Sequence, residues 1–147
     1  MYQKILVATD GSSLSKKAIK GAIDLAAAID AELLMVNVVG RYPMTYFEGG
    51  ATLPMADVSQ IEKQWASQGL AVANAAKNAA ESAGVTAKAT IVRSNLVAEA
   101  ILSAARKNKC DLIVMASHGR KGLKRILLGS ETQQVLTHSS IPVLVLR

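Results

Sequence analysis

Four short apolar runs, each giving way to a stretch with helical spacing, and a fifth run near the end set the plan of this chain. Lys4 to Thr9 reads as a buried strand. Leu14, Ala18, Ile19, Ala22, Leu25, Ala26 and Ile29 then recur at the spacing of one helix face. Ala31 to Val39 is a second strand. A helix is expected from Asp57, which with Gln60 resembles a capping box, to Ala83, with Gly84 as its stop. Val85 to Val92 is a third strand, and Leu96 to Lys107 a helix with Asn95 or Ser94 as its cap. Asp111 to Ala116 is a fourth strand. Ser130 to Thr137 is a short helix, where Ser130 and Gln133 again resemble a capping box, and Pro142 to Leu146 is a fifth strand. Strands so uniformly apolar have both faces covered, as in parallel sheets. The alternation predicts an α/β fold, a single domain over residues 1–147. It is a five-stranded, parallel, doubly wound sheet of Rossmann-like or flavodoxin-like type, order 3-2-1-4-5, with helices on both faces.

Composition narrows the function. Half of the 147 residues are hydrophobic and only 3% aromatic, so Ala, Val, Leu and Ile must do the packing. No apolar run approaches the roughly 18 residues of a membrane-spanning helix. The N-terminus runs straight into the first strand, which leaves no room for a signal peptide. A soluble, cytoplasmic protein is expected. The formal charge of +6 favours anionic partners. With no block of like charges and few aromatic side chains for base stacking, nucleic acid is not the expected partner. Cys110 is the single cysteine, which excludes an intramolecular disulfide and a cysteine-based zinc site. It reads as a small apolar residue at a strand entry, with a redox-sensing thiol as the alternative.

In a doubly wound sheet ligands bind beyond the carboxyl ends of the strands, at the switch point. Two loops meet that edge. Asp10-Gly11-Ser12-Ser13 is a turn ending in a helix cap, where Asp10 can form an Asx turn. After the fourth strand, Ser117 to Gly129 is a glycine-punctuated, basic loop leading into a helix. Backbone N–H groups and a helix N-terminus at such a place suit an anion, phosphate above all. Arg120, Lys121, Lys124 and Arg125 form either a solvated face or a screen for phosphate charge. His118 has no triad or metal-ligand partner in the sequence, so no catalytic role is assigned to it and no catalytic residue or metal site is expected. His138 is explained by the end of its helix. Gly40 to Ala56, rich in glycine and aromatic residues, reads as a long loop.

Neither G-x-x-x-x-G-K-[ST] nor G-x-G-x-x-G after the first strand is present. A narrower pattern is: Ala116, two residues, Gly119, nine residues, Gly129-Ser130. With Lys4-Ile5-Leu6-Val7-Ala8-Thr9-Asp10-Gly11-Ser12, Asn37-Val38-Val39 and Ile141-Pro142-Val143-Leu144-Val145, this resembles the universal stress protein family across the whole chain. In its nucleotide-binding members the first position of the motif is glycine, whereas here it is Ala116.

The resemblance implies a small stress-response sensor or regulator that binds ATP or AMP, with Mg²⁺ accompanying the phosphates. It implies that Ala8, Thr9 and Asp10 lie beside adenine and ribose, and that Val38 meets adenine with its backbone. Met115 and Ala116 would flank the ribose, while Gly119, Gly129, Ser130 and Thr132 hold phosphates. A homodimer joined through the C-terminal strand is implied too, with a regulatory protein partner that the sequence leaves unidentified. Two alternatives stay open: a slow ATP hydrolase, for which no water-positioning residue is visible, and an interaction module whose nucleotide site has lapsed at Ala116.

Overall fold

The structure, a computed structural model, describes residues 1–43, 54–119 and 128–147. Nine elements alternate: β1 (Lys4–Ala8), α1 (Ser13–Ile29), β2 (Glu32–Val39), α2 (Met55–Ser82), β3 (Ala87–Arg93), α3 (Val97–Lys107), β4 (Leu112–Ala116), α4 (Ser130–His138) and β5 (Val143–Leu146). The strands form one parallel sheet of order β3-β2-β1-β4-β5, as the alternation predicts.

The period of two in each strand divides the core into two layers. Ile5, Val7, Leu33, Met35 and Val114 face α1 and α2, where Ile19, Ala22, Ile23, Ala76 and Ala80 cover them. Leu6, Leu34, Val36, Ile113 and Met115 face the other way, against Ala98, Ile101, Ala105 and Val135 of α3 and α4. The central strands β1 and β4 have residues from Ile5 to Val7 and from Leu112 to Ala116 buried, whereas β5 at the edge is half-buried to exposed. Among the described residues no helix is long and apolar enough to cross a membrane.

The caps of three helices differ from expectation, although α4 itself starts at Ser130 as expected. The helix α2 begins at Met55 with Pro54, not Asp57, at the cap position. The Asp57 N–H donates to the Pro54 carbonyl at 2.9 Å, so its carboxylate contributes charge to the first turn rather than a cap. Before α3 the cap position falls on Leu96. Ser94 Oγ accepts from the Leu96 N–H (3.0 Å), and Asn95 Oδ1 accepts from the Arg41 N–H (2.7 Å), tying the end of β2 to the β3–α3 loop. At α4 the cap is Gly129, with no side-chain bond, and Ser130 is already the first helical residue. The expected loop Gly40 to Ala56 falls largely outside the described residues. The stop at Gly84 holds: its φ is +79°, and the Val85 N–H returns to the Ala80 carbonyl at 3.0 Å.

Two helical glycines allow close packing on the sheet. A Cβ on Gly69 would stand 2.4 Å from Val39 Cγ2 and 2.6 Å from Asn37 Oδ1, whereas one on Gly21 would meet the tip of Leu146 at 2.5 Å. Val39 and Asn37 are buried on the sheet, whereas Leu146 is half-buried on the edge strand and meets the glycine with the end of a flexible side chain. Gly69→Ala is therefore expected to lose about 1–3 kcal/mol to overpacking, more than the ~1 kcal/mol of helix propensity it gains. Gly21→Ala should be neutral or stabilising, and urea unfolding of the two variants measures the contrast. Cys110 is buried against α3 and β4, and desolvation by that burial raises its thiol from 9.0 to about 11. The thiolate is the reactive form, so this environment disfavours the redox-sensing alternative. Native protein at pH 8 should react with a thiol reagent far more slowly than unfolded protein. Because the unfolded thiol ionises first, the group's contribution to stability is full below pH 9 and falls as pH rises toward 11.

Candidate functional site

The strand β1 ends at Ala8, paired with Val36, while its neighbour β2 runs on to Val39. The chain leaves the sheet through a turn built of side-chain bonds. The Thr9 N–H still donates to the Val36 carbonyl (2.9 Å), but the Thr9 carbonyl is taken by Asn37 Nδ2 (2.8 Å). Buried Ser15 donates from Oγ to Thr9 Oγ1 (2.7 Å) and accepts from the Asp10 N–H (3.3 Å). Asp10 forms the expected Asx turn, its Oδ1 accepting from the Ser12 N–H (2.9 Å). Ser12 in turn caps α1 by accepting from the Ser15 N–H (3.1 Å). Gly11 has φ +79°, a conformation that glycine adopts without strain.

On the other side β4 ends at Ala116, buried and without a positive φ. Thr132, buried at the start of α4, donates its hydroxyl to the Ala116 carbonyl (3.0 Å), and the Gly129 N–H donates to the Ser117 carbonyl (2.8 Å). These two bonds dock the start of α4 on the end of β4. Gly129 is needed there because a Cβ would come within 3.1 Å of the His118 backbone. The first bond inside α4 runs from the Gln133 N–H to the Gly129 carbonyl (3.0 Å). The N–H groups of Ser130, Glu131 and Thr132 are therefore left without helical partners, and among the described residues no side chain caps them.

Between these walls lies a cavity of about 110 Å³, bordered by Ala8, Thr9, Asp10, Val38, Met115, Ala116, Gly119 and Thr132 among the residues expected at a site. Gly129 and Ser130, also expected at the site, are not among the residues that border it; they form the cap and first residue of α4. Gly119 closes against Asp10: a Cβ there would sit 2.6 Å from Asp10 Oδ2. Six further residues complete the lining: Ser15, Val36, Val97, Ile101, His118 and Glu131. Val97 and Ile101 lie four apart on one face of α3 and read in sequence as ordinary core. Only the sheet order shows that they roof this cavity. His118 Nδ1 is buried without a hydrogen-bond partner among the described residues. His138 Nδ1 pairs with the Gln134 carbonyl (2.9 Å), which accounts for it within its helix. The basic cluster from Arg120 to Arg125 lies outside the described residues.

The cavity thus has an apolar half, made by Ala8, Val36, Val38, Val97, Ile101 and Met115, and a polar half around Asp10, Gly119 and the start of α4. Leu33 directs its N–H to Thr86 beside β3, and Val36 its carbonyl to Thr9 beside β1, so Val38, two residues after Val36, also turns its backbone to the β1 side. There β1 has already departed, and the Val38 main chain faces the cavity. Among the described residues no group of three or more His, Cys, Asp or Glu side chains could hold a metal ion. Two larger hollows lack this convergence. One of about 630 Å³ at the opposite end of the sheet is lined in part by charges that engage one another or the backbone, Lys4 with Glu32 (3.3 Å) and Asp111 with the Gln3 N–H (2.9 Å). The other, about 760 Å³, is an alanine-walled groove between α1 and α2.

Known proteins are similar to this chain over its whole length. The family model described as the Universal stress protein family matches residues 1–147. Universal stress protein YxiE of Bacillus subtilis is 36% identical, with both chains covered in full. Universal stress protein MJ0531 of Methanocaldococcus jannaschii is 35% identical over all of this chain and 83% of its own length. A universal stress protein crystallised in complex with cAMP superimposes with a TM-score of 0.70 at 29% identity, covering 99% of this chain and 97% of that one.

Proposed function

We propose that this chain, which belongs to the universal stress protein family, binds an adenine nucleotide at the carboxyl edge of its sheet. The observation that carries the reading is the pairing of an apolar slot with the start of α4, whose first three N–H groups have no partner among the described residues. The relative crystallised with cAMP supports it. In this reading adenine lies between Ala8, Val38 and Met115, its polar edge toward the Val38 main chain. The ribose lies beside Thr9, Asp10 and Ala116. Phosphate is held near Gly119 and Gly129 by the N–H groups of Ser130 and Thr132. The Thr132 hydroxyl is already spent on Ala116, so the backbone of Thr132 is its contribution. Each bond from such a donor to a charged oxygen contributes about 1.5–3 kcal/mol, enough in sum for micromolar affinity after association costs. ATP and AMP are both candidates, and Mg²⁺ would travel with the phosphates. Binding that changes the protein's partners would make it a stress-response sensor.

Ala116 does not weigh against this reading. Its backbone is that of a strand, so the methyl group meets no conformational penalty. Calorimetric titration with AMP and ATP should give heat, and nucleotide should raise the melting temperature. Ala116→Gly is expected to change affinity by less than about threefold, whereas Gly119→Ala, by displacing Asp10, should weaken it about tenfold, or ~1.4 kcal/mol. A wild type inert to millimolar nucleotide, with binding created by Ala116→Gly, would instead establish a lapsed site.

We also propose a homodimer through β5. This strand is the last in the sheet, and Leu144 is exposed on it, an edge that soluble proteins cover. Light scattering at micromolar concentration should return twice the monomer mass. A monomer overturns the proposal.

A further inference from the structure

We propose that Asn37 is the positioning residue that gives the site its preference for adenine, by holding the Val38 N–H open to the base. The inference rests on the adenine-nucleotide reading and adds to it the residue that sets which base is accepted. The β1–β2 register, whose last pair is Ala8 with Val36, sets Thr9 opposite Asn37 when continued by one residue. The Thr9 N–H still donates to the Val36 carbonyl. A parallel ladder would complete this rung with a bond from the Val38 N–H to the Thr9 carbonyl. Among the described residues that bond is not made, and the carbonyl accepts from Asn37 Nδ2 at 2.8 Å. The Asn37 amide stands on the α2 face of the sheet, where its Oδ1 lies against Gly69. A carbonyl aimed at that amide leans out of the plane in which the Val38 N–H points. A side chain thus replaces the rung, and the donor that the rung would have consumed is left at the cavity wall.

Val38 is half-buried, and its N–H and C=O share one side of an extended strand. A base that meets it there must offer an acceptor to the N–H beside a donor for the C=O. Adenine does so, with a ring nitrogen next to its amino group. A 6-oxopurine carries an N–H and a C=O in those places, so donor faces donor and acceptor faces acceptor. This discrimination works only while the Val38 N–H is unbonded. An apolar side chain at position 37 would leave the buried Thr9 carbonyl without its donor, and the next inward-facing N–H of β2, that of Val38, is the replacement at hand. The strand β1 would then gain a rung, and the base would lose its donor.

The test combines calorimetry, with AMP and inosine monophosphate, and amide hydrogen exchange followed by NMR, on the full chain, wild type and Asn37→Val. In free wild type the Val38 amide should exchange fast for a strand residue and become protected when AMP binds. Wild type should bind AMP about tenfold more tightly than inosine monophosphate. In Asn37→Val the Val38 amide should be protected without ligand. AMP should then bind about tenfold more weakly, and the two nucleotides should agree to within about twofold. Asn37→Ala, which removes the amide without adding bulk against Gly69, should behave in the same way. A merely structural part for Asn37 would loosen the turn: exchange at Val38 would quicken and both nucleotides would weaken alike, which overturns the proposal. A Val38 amide already protected in free wild type, or variants that keep the wild-type ratio of AMP to inosine monophosphate, overturn the role of Asn37 alone. If wild type binds neither nucleotide, the adenine-nucleotide reading fails and this proposal with it.

Discussion

The early exit of β1 from the sheet is the constraint on which the rest of the molecule depends. This strand lies at the centre of the order β3-β2-β1-β4-β5, yet its last rung is Ala8 with Val36, three residues before β2 ends. A ladder could continue with the Thr9 carbonyl accepting from the next inward-facing N–H of β2. Instead Asn37 Nδ2 takes that carbonyl, from a side chain buried in an otherwise apolar strand. A buried carbonyl left unpaired would cost about 1–3 kcal/mol, so the side chain that satisfies it holds the turn as firmly as another rung would. The gap that opens past Thr9 is the cavity. Val38, Met115 and Ala116 border it because their strands continue where β1 does not.

That same asparagine links the site to the packing of α2. Its Oδ1 lies against Gly69, at the point where only a hydrogen allows the helix to seat on β2 and Val39. The Thr9–Ser15–Asp10 bonds on one side and the α2 contact on the other thus share one residue. The position of α2 and the geometry of the β1–α1 turn are not independent. Tyr42, just past β2, stacks on Trp65 of α2 with ring centroids 6.2 Å apart, so the first half of this helix is held at the same edge of the sheet as the cavity.

The large features were legible because they are repetitive. An apolar strand buried on both faces and a helix with one apolar stripe each spread their signal over many residues, and their alternation leaves little choice of topology. The turn at Asp10 was legible too, since an Asx turn is made within three residues. The helix caps were not. Ser94, Asn95, Asp57 and Ser130 all have the chemistry of a cap, but α2 starts two residues before Asp57, Asn95 accepts from the distant Arg41, and Ser130 is itself the first helical residue. Val36, Val97 and Ile101 carried no local sign of lining a cavity, because an apolar residue at helical or strand spacing looks the same in a core as in a ligand slot. Glu131 in a first turn looks like any acidic residue placed to suit a helix dipole.

The start of α4 serves both the fold and the site. Ser130 sits one residue too far into the helix to cap it, the cap position is a glycine, and the Thr132 hydroxyl points inward to the end of β4. A capping side chain at this position would add about 1 kcal/mol of stability. Without one, three N–H groups at the polar end of an apolar slot have no partner among the described residues. The loss is small against what fixed backbone donors contribute to holding an anion, since they need no rearrangement when it arrives. Gly129 serves both ends of this arrangement. It packs so closely on His118 that an added Cβ would meet the His118 backbone at 3.1 Å, and by lacking a side chain it offers no side-chain cap.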